Sequence, residues 1–174
     1  MKTSKLGLLI INLVGGAGVI GSYIWGFLSN PGGVEAFWGG VPAVIRTAIT
    51  VNMLLAAAGY LVIFLILLLR VPSTTTVGTL PFWTFHVIYL VILIASALWM
   101  PLTQAVIQNY TPLVWFSVLL VLALTALAGI LLLIALLSLR PKLPTRWRIP
   151  VILSSAFFIL QTAVLDAILW TSFF

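Results

Sequence analysis

The sequence predicts an all-α membrane protein: one transmembrane domain over residues 1–174, built as a bundle of five helices. Three observations carry that expectation. Hydrophobic residues make up 63% of the chain, charged residues only 6%, and mean hydropathy is +1.31. Soluble domains carry about 25% charged residues, so this chain lacks the charge to cover a water-facing surface. Five apolar stretches, at about 6–28, 42–69, 81–104, 113–139 and 149–173, each reach the ~20 residues that cross a ~30 Å hydrocarbon core as a helix. Prolines divide the chain independently. Pro42, Pro81, Pro112 and Pro150 open stretches, where a missing N–H costs nothing. Pro31, Pro72, Pro141 and Pro144 fall in connections, and Pro101 lies near the far end of the third stretch.

Charge orients the bundle. If five helices alternate, Lys2, Lys5, Arg70, Arg140, Lys142, Arg146 and Arg148 share one side, and only Arg46, with Glu35 in the 29–41 loop, lies on the other. This asymmetry predicts a cytoplasmic N-terminus and an outside C-terminus. The formal charge of +6 therefore describes membrane topology rather than a nucleic-acid footprint. The 140–148 connection serves as a topology anchor or as a seat for anionic lipid.

The first stretch follows Lys2 and Lys5. It is longer than the 7–15-residue apolar core of a signal peptide, and no A-x-A-like site follows, so it is expected to stay as a helix. Gly15, Gly18, Ser22 and Gly26 recur along it at helical spacing. Small residues permit close helix contact, inside the bundle or with a homo-oligomer or membrane-protein partner. The second stretch holds Arg46 one turn past Pro42, Asn52 deeper on another face, and a tight-packing strip of Ala48, Ala56 and Gly59. The third carries His86 near the basic side, where a backbone or water partner is expected, and Trp99, Pro101 and Gln104 near the other. The fourth is almost pure Leu, Val and Ala, with Thr125 and Gly129, and reads as the most lipid-exposed. Asn109-Tyr110-Thr111 matches a glycosylation pattern, but Pro112 begins a helix directly after it.

The fifth stretch holds Asp166, the only acid in any apolar segment. Ser155, Thr162 and Asp166 stand at i, i+7 and i+11, one face of a 3.6-residue helix, with Ser154 and Gln161 beside them. A carboxylate near the bilayer centre costs roughly 2.5–3.5 kcal/mol, so that face belongs against protein. Arg46 lies about 6 Å below the outer boundary at 1.5 Å per residue, and Asp166 is similarly deep relative to Trp170. An Arg46–Asp166 ion pair is the expectation, either as a structural lock or as the charged wall of a cavity.

Aromatic residues concentrate on the same side: Trp25, Trp38, Trp99, Trp115, Trp170, Tyr23 and Tyr110, against Trp83 and Trp147 opposite. Pro101 frees the carbonyl of Ala97 and makes room near Trp99. The candidate ligand site is therefore walled by Tyr23, Arg46, Trp99, Gln104, Asp166 and Trp170. It suits a hydrophobic or amphipathic molecule, with Arg46 meeting any acidic group.

With no cysteine and one histidine, the sequence excludes disulfides, thiolate metal sites and iron–sulfur clusters, and no metal or cofactor is expected. It offers no paired carboxylates, Ser-His-Asp set, H-E-x-x-H or Gly-rich phosphate loop beside a lysine, and so predicts a non-enzyme. Five spans, this length, the many tryptophans and Leu98-Trp99-Met100-Pro101 resemble the tryptophan-rich sensory/translocator family. The family's W-x-P loop after helix one is replaced here by Ser29-Asn30-Pro31-Gly32-Gly33, and its asparagine–tryptophan pattern in helix three is absent. No binding residue transfers on this likeness. Two functions follow: binding or transport of a small molecule in an outer-leaflet pocket, or a structural or assembly subunit of a membrane complex.

Overall fold

The computed structural model describes residues 3–174; Lys2, one of the residues used to orient the bundle, lies outside them. Among the described residues the regular structure is helical apart from one two-residue β ladder. Helix α1 runs Thr3–Ser29, a short 3-10 helix Gly33–Trp38, α2 Ala43–Arg70, α3 Thr84–Gln108 and α4 Pro112–Leu137. Helix α5 starts at Thr145 and is α-helical to Ile159. It then continues as a π-helical segment Leu160–Leu169 and a 3-10 turn Trp170–Phe173. Strands β1 (Thr76–Val77) and β2 (Leu139–Arg140) pair antiparallel. The five long helices are each apolar and long enough to cross a membrane, as a multi-pass integral membrane protein requires.

The helix starts follow the proline punctuation at α2 and α4 and depart from it at α3 and α5; Pro81 lies three residues before Thr84, where α3 begins. Thr111 caps α4 by accepting from the Val114 N–H, with Pro112 at the first helical position. Pro42 likewise precedes α2. Pro150, expected to open the fifth helix, lies inside it instead. Pro144 is the residue before the start, so Arg146 and Arg148 belong to the first turns of α5. There Arg70 and Arg146 stack on Trp147 at 4.8 and 5.7 Å from its centroid.

Around the bundle α1 packs on α3, α3 on α4, α4 on α5, and α5 on α2, while α1 and α2 come close at few points. The ladder, the Lys5 Nζ bond to the Leu68 carbonyl and the His86 Nε2 contact with the Ser4 carbonyl (both 2.7 Å) gather one end of the bundle, the basic end. His86 thus has the backbone partner expected of it. Gly40 N–H to the Phe173 carbonyl (2.9 Å) marks the opposite, aromatic end. A large buried cluster around Leu67, Phe85, Tyr89 and Leu132 fills the basic half. A smaller one around Ile49, Val118, Leu122 and Trp170 fills the aromatic half.

Two packing expectations change. The fourth helix is the most buried of the five, with 50% of its most apolar window inside the bundle, and α1 the least, at 11%. Lipid tails are as apolar as leucine, so a uniformly Leu-rich helix carries no signal separating core from lipid. In the α2 strip, Ala56 and Gly59 are buried but Ala48 is exposed. The close approach sits at Gly59, where an added Cβ would lie 3.0 Å from the Ser154 carbonyl oxygen.

Candidate functional site

The side chain that organises the aromatic half is Asp166, in the middle of the π-helical segment. Its Oδ1 accepts a 2.7 Å hydrogen bond from Gln161 Nε2, five residues earlier. An α-helix would point these two residues away from each other. The i→i+5 ladder of a π-helix brings residues five apart nearly into line, and such segments recur at functional sites. Gln161 is itself held from α2: Asn52 Nδ2 donates to Gln161 Oε1 at 3.0 Å and reaches the Phe157 carbonyl at 3.3 Å. The amide of Gln161 is thereby fixed the way round that turns its NH₂ toward Asp166.

Two adjoining cavities, of about 200 and about 300 Å³, meet at this group. Tyr23, Met53, Trp99, Gln161 and Asp166 line both. The first extends along Ala56, Ser96 and Phe158, and the second toward Phe27, Phe37, Trp38 and Trp170. Their side wall is the seam between α1 and α2. That seam is pinned in the basic half by Lys5 and by Tyr60 Oη donating to Asn12 Oδ1 (2.5 Å). In the aromatic half it is loose, and Met53, 39% exposed, stands in it.

The short 3-10 helix roofs the larger cavity. Trp170 Nε1 donates to the Phe37 carbonyl at 2.9 Å. Asn30 Nδ2 donates to Gln104 Oε1 at 2.9 Å, and Glu35 pairs with Arg46. Aromatic contacts knit the walls: Trp99 meets Tyr23 at 5.6 Å and Trp170 edge-on at 5.5 Å, and Trp170 lies 4.6 Å from Phe174.

Four of the six residues expected to form the site, Tyr23, Trp99, Asp166 and Trp170, line these cavities. Gln104 does not; it is buried behind the wall, holding the end of α1 through Asn30. Arg46 does not either, and the expected Arg46–Asp166 ion pair is absent. Arg46 forms the one salt bridge among the described residues, with Glu35. It also donates from Nε to the Val41 carbonyl (2.7 Å) and lies 5.8 Å from the centroid of the Trp38 ring. The reason is solvation. Glu35 is 76% exposed at the end of the bundle, where a guanidinium keeps part of its hydration, and carrying it down to Asp166 would forfeit that. The Ser155–Thr162–Asp166 face lies against protein as expected: Ser155 and Thr162 are buried, and Thr162 lines the smaller cavity with Asp166. Thr162 Oγ1 turns back to the Phe158 carbonyl, and Ser155 Oγ is buried without a partner.

The small-residue face of α1 splits. Gly15 and Gly26 face α3, where an added Cβ at Gly15 would stand 2.7 Å from Leu93 Cδ1 and one at Gly26 would strike Met100. Gly18 meets nothing within 4 Å. Sequence reasoning missed Gln161 as the partner of Asp166, Asn52 as the partner of Gln161, and Glu35 as the partner of Arg46. The available signal was the pair of amides in the second and fifth stretches, and the fact that the chain has only two acids. In comparisons with known proteins, no family model, no curated protein and no solved structure matches the chain. The likeness to the tryptophan-rich sensory/translocator family stays one of helix number and tryptophan content.

Proposed function

We propose that this protein is a multi-pass integral membrane protein that binds, and in doing so can carry, a hydrophobic or amphipathic small molecule in the cavity beside Asp166. One observation carries the reading: a single carboxylate, held by Gln161, which Asn52 holds in turn, sits in a mainly apolar and aromatic cavity beside the seam between α1 and α2. Ligand sites combine apolar walls with a few convergent polar groups in this way. The seam between α1 and α2 is the entry route, lateral from the bilayer. The charge asymmetry of the sequence supports a cytoplasmic basic end, which puts the aromatic end in the outer leaflet.

Native mass spectrometry from mild detergent tests the reading. A monomer carrying a small molecule or lipid that is lost in Met53→Trp, which fills the cavity, is expected. Mass and stability unchanged by that substitution would remove the ligand site. A second reading, a non-catalytic structural or assembly subunit, draws on Gly18 and Gly21, which have open space beside them on the outer face of α1. Recovery of the protein only as an oligomer or with another membrane protein would favour it.

A further inference from the structure

We infer that the ligand of this cavity is an organic cation: an ammonium group on a compact apolar or aromatic body, its charge on Asp166 and its body against the rings. The inference rests on the cavity being a ligand site and adds the chemistry of the occupant.

The carboxylate is the starting point. Asp166 Oδ1 is taken by Gln161 Nε2, and among the described residues no protein donor reaches Oδ2. Among the described residues none supplies a countercharge. Arg46 is committed at the roof to Glu35, the Val41 carbonyl and the Trp38 ring. Lys5, Arg70, Arg140, Lys142, Arg146 and Arg148 stand on the other side of the alternating bundle, at the basic end. An ionised carboxylate in an apolar interior is costly unless paired and hydrogen-bonded, and here only the hydrogen bond is provided. The site is half complete.

The walls supply the second, independent observation. Tyr23, Phe27, Phe37, Trp38, Trp99 and Trp170 line the larger cavity, and no Lys or Arg does. Aromatic faces attract cations through their quadrupole and give nothing comparable to anions. One carboxylate inside an aromatic wall is the lining an ammonium site needs and the reverse of an acid-binding one. Arg46 lines neither cavity, so it does not stand where the expected acidic group of a ligand would meet it. The volumes, about 200 and about 300 Å³, seat one ring with a short ammonium arm.

The test titrates the purified, detergent-solubilised full chain, read by tryptophan fluorescence and thermal shift, with three probes that share a phenylethyl body. These are phenylethyltrimethylammonium, its uncharged carbon isostere (3,3-dimethylbutyl)benzene, and the anion 3-phenylpropionate. The cation should bind at least about tenfold more tightly than either of the others. Asp166→Asn should remove that preference, while Asp166→Glu, which keeps the charge, should retain most of it. Equal binding of cation and isostere in the unsubstituted protein overturns the cation inference and leaves the cavity as a ligand site. Tighter binding of the anion overturns it in the same way. If none of the three binds, both the inference and the reading of the cavity fail.

Discussion

Gln161 and Asp166 touch across five residues of one helix, Nε2 to Oδ1 at 2.7 Å, because that helix is π-wound from Leu160 to Leu169. The relationship joins backbone form to site chemistry. The wider winding lines up two polar side chains that an α-helix would separate, and Asn52 from α2 fixes the first of them. The three residues together tie α2 to α5 beside the cavity.

The tie gives a stability prediction. Asn52→Leu and Gln161→Leu should each destabilise the detergent-solubilised protein, and the double variant should lose less than the sum. The coupling expected for an interhelical side-chain bond in a membrane protein is about 0.6–1.7 kcal/mol. A double-mutant cycle on unfolding midpoints measures it. Strict additivity would show that the amides do not touch.

A second cycle separates the two charged positions. Arg46 and Asp166 share no bond among the described residues, and Arg46 is paired with the exposed Glu35. Arg46→Met and Asp166→Leu should therefore add within about 0.5 kcal/mol. Glu35→Gln should cost less than about 1 kcal/mol, and salt should erase the difference, as for other exposed pairs. A coupling of several kcal/mol between Arg46 and Asp166 would restore the buried pair that their matched depth suggests.

Much of the fold was legible in the sequence, and the physical reason is the bilayer. A span must be long, apolar and helical, so hydropathy and prolines mark all five helices to within a few residues, except around Pro150. That Asp166, Tyr23, Trp99 and Trp170 come together along one cavity was legible because a carboxylate in an apolar segment needs protein around it, and rings beside it are the natural neighbours. The partner of Asp166 was not. Projecting the fifth helix at 3.6 residues per turn puts Ser155 and Thr162 with Asp166 and leaves Gln161 only flanking them, and no residue type announces a π-helix. Burial was also hidden. In α4, leucines facing α3 and leucines facing lipid look alike, whereas in water the polar face would have told them apart.

Topology provides a check that does not depend on the cavity. Single cysteines at Thr3 and Ser172 stand at opposite ends of the alternating helices, in a chain with no native cysteine. An impermeant thiol reagent on intact cells should label the Ser172 position and spare the Thr3 position until the membrane is opened. The reverse pattern would put the aromatic end in the cytoplasm. Equal labelling would break the five-helix count.

The glycines distinguish packing inside the bundle from packing on its surface. At Gly59 a side chain has nowhere to go: an added Cβ lies 3.0 Å from the Ser154 carbonyl oxygen and 3.1 Å from its Cα, both backbone atoms that do not swing aside. Gly59→Val should destabilise the protein by about 1–3 kcal/mol, the usual cost of overfilling a packed contact, by pushing α2 away from α5. Because Asn52 lies two turns earlier on the same helix, the shift should also loosen its bond to Gln161. Gly18 is the control, with nothing within 4 Å of an added Cβ. Gly18→Ala should change the unfolding midpoint by an amount within about 0.5 kcal/mol, as surface substitutions do. Gly18→Leu should leave a monomer unchanged but break any assembly built on that face, which size-exclusion chromatography with light scattering reads directly. Loss of an oligomer in Gly18→Leu with the fold intact would move the subunit reading ahead of the ligand-binding one. An unchanged particle mass, together with a destabilised Gly59→Val, would confine the glycines of α1 and α2 to holding the bundle around Asp166.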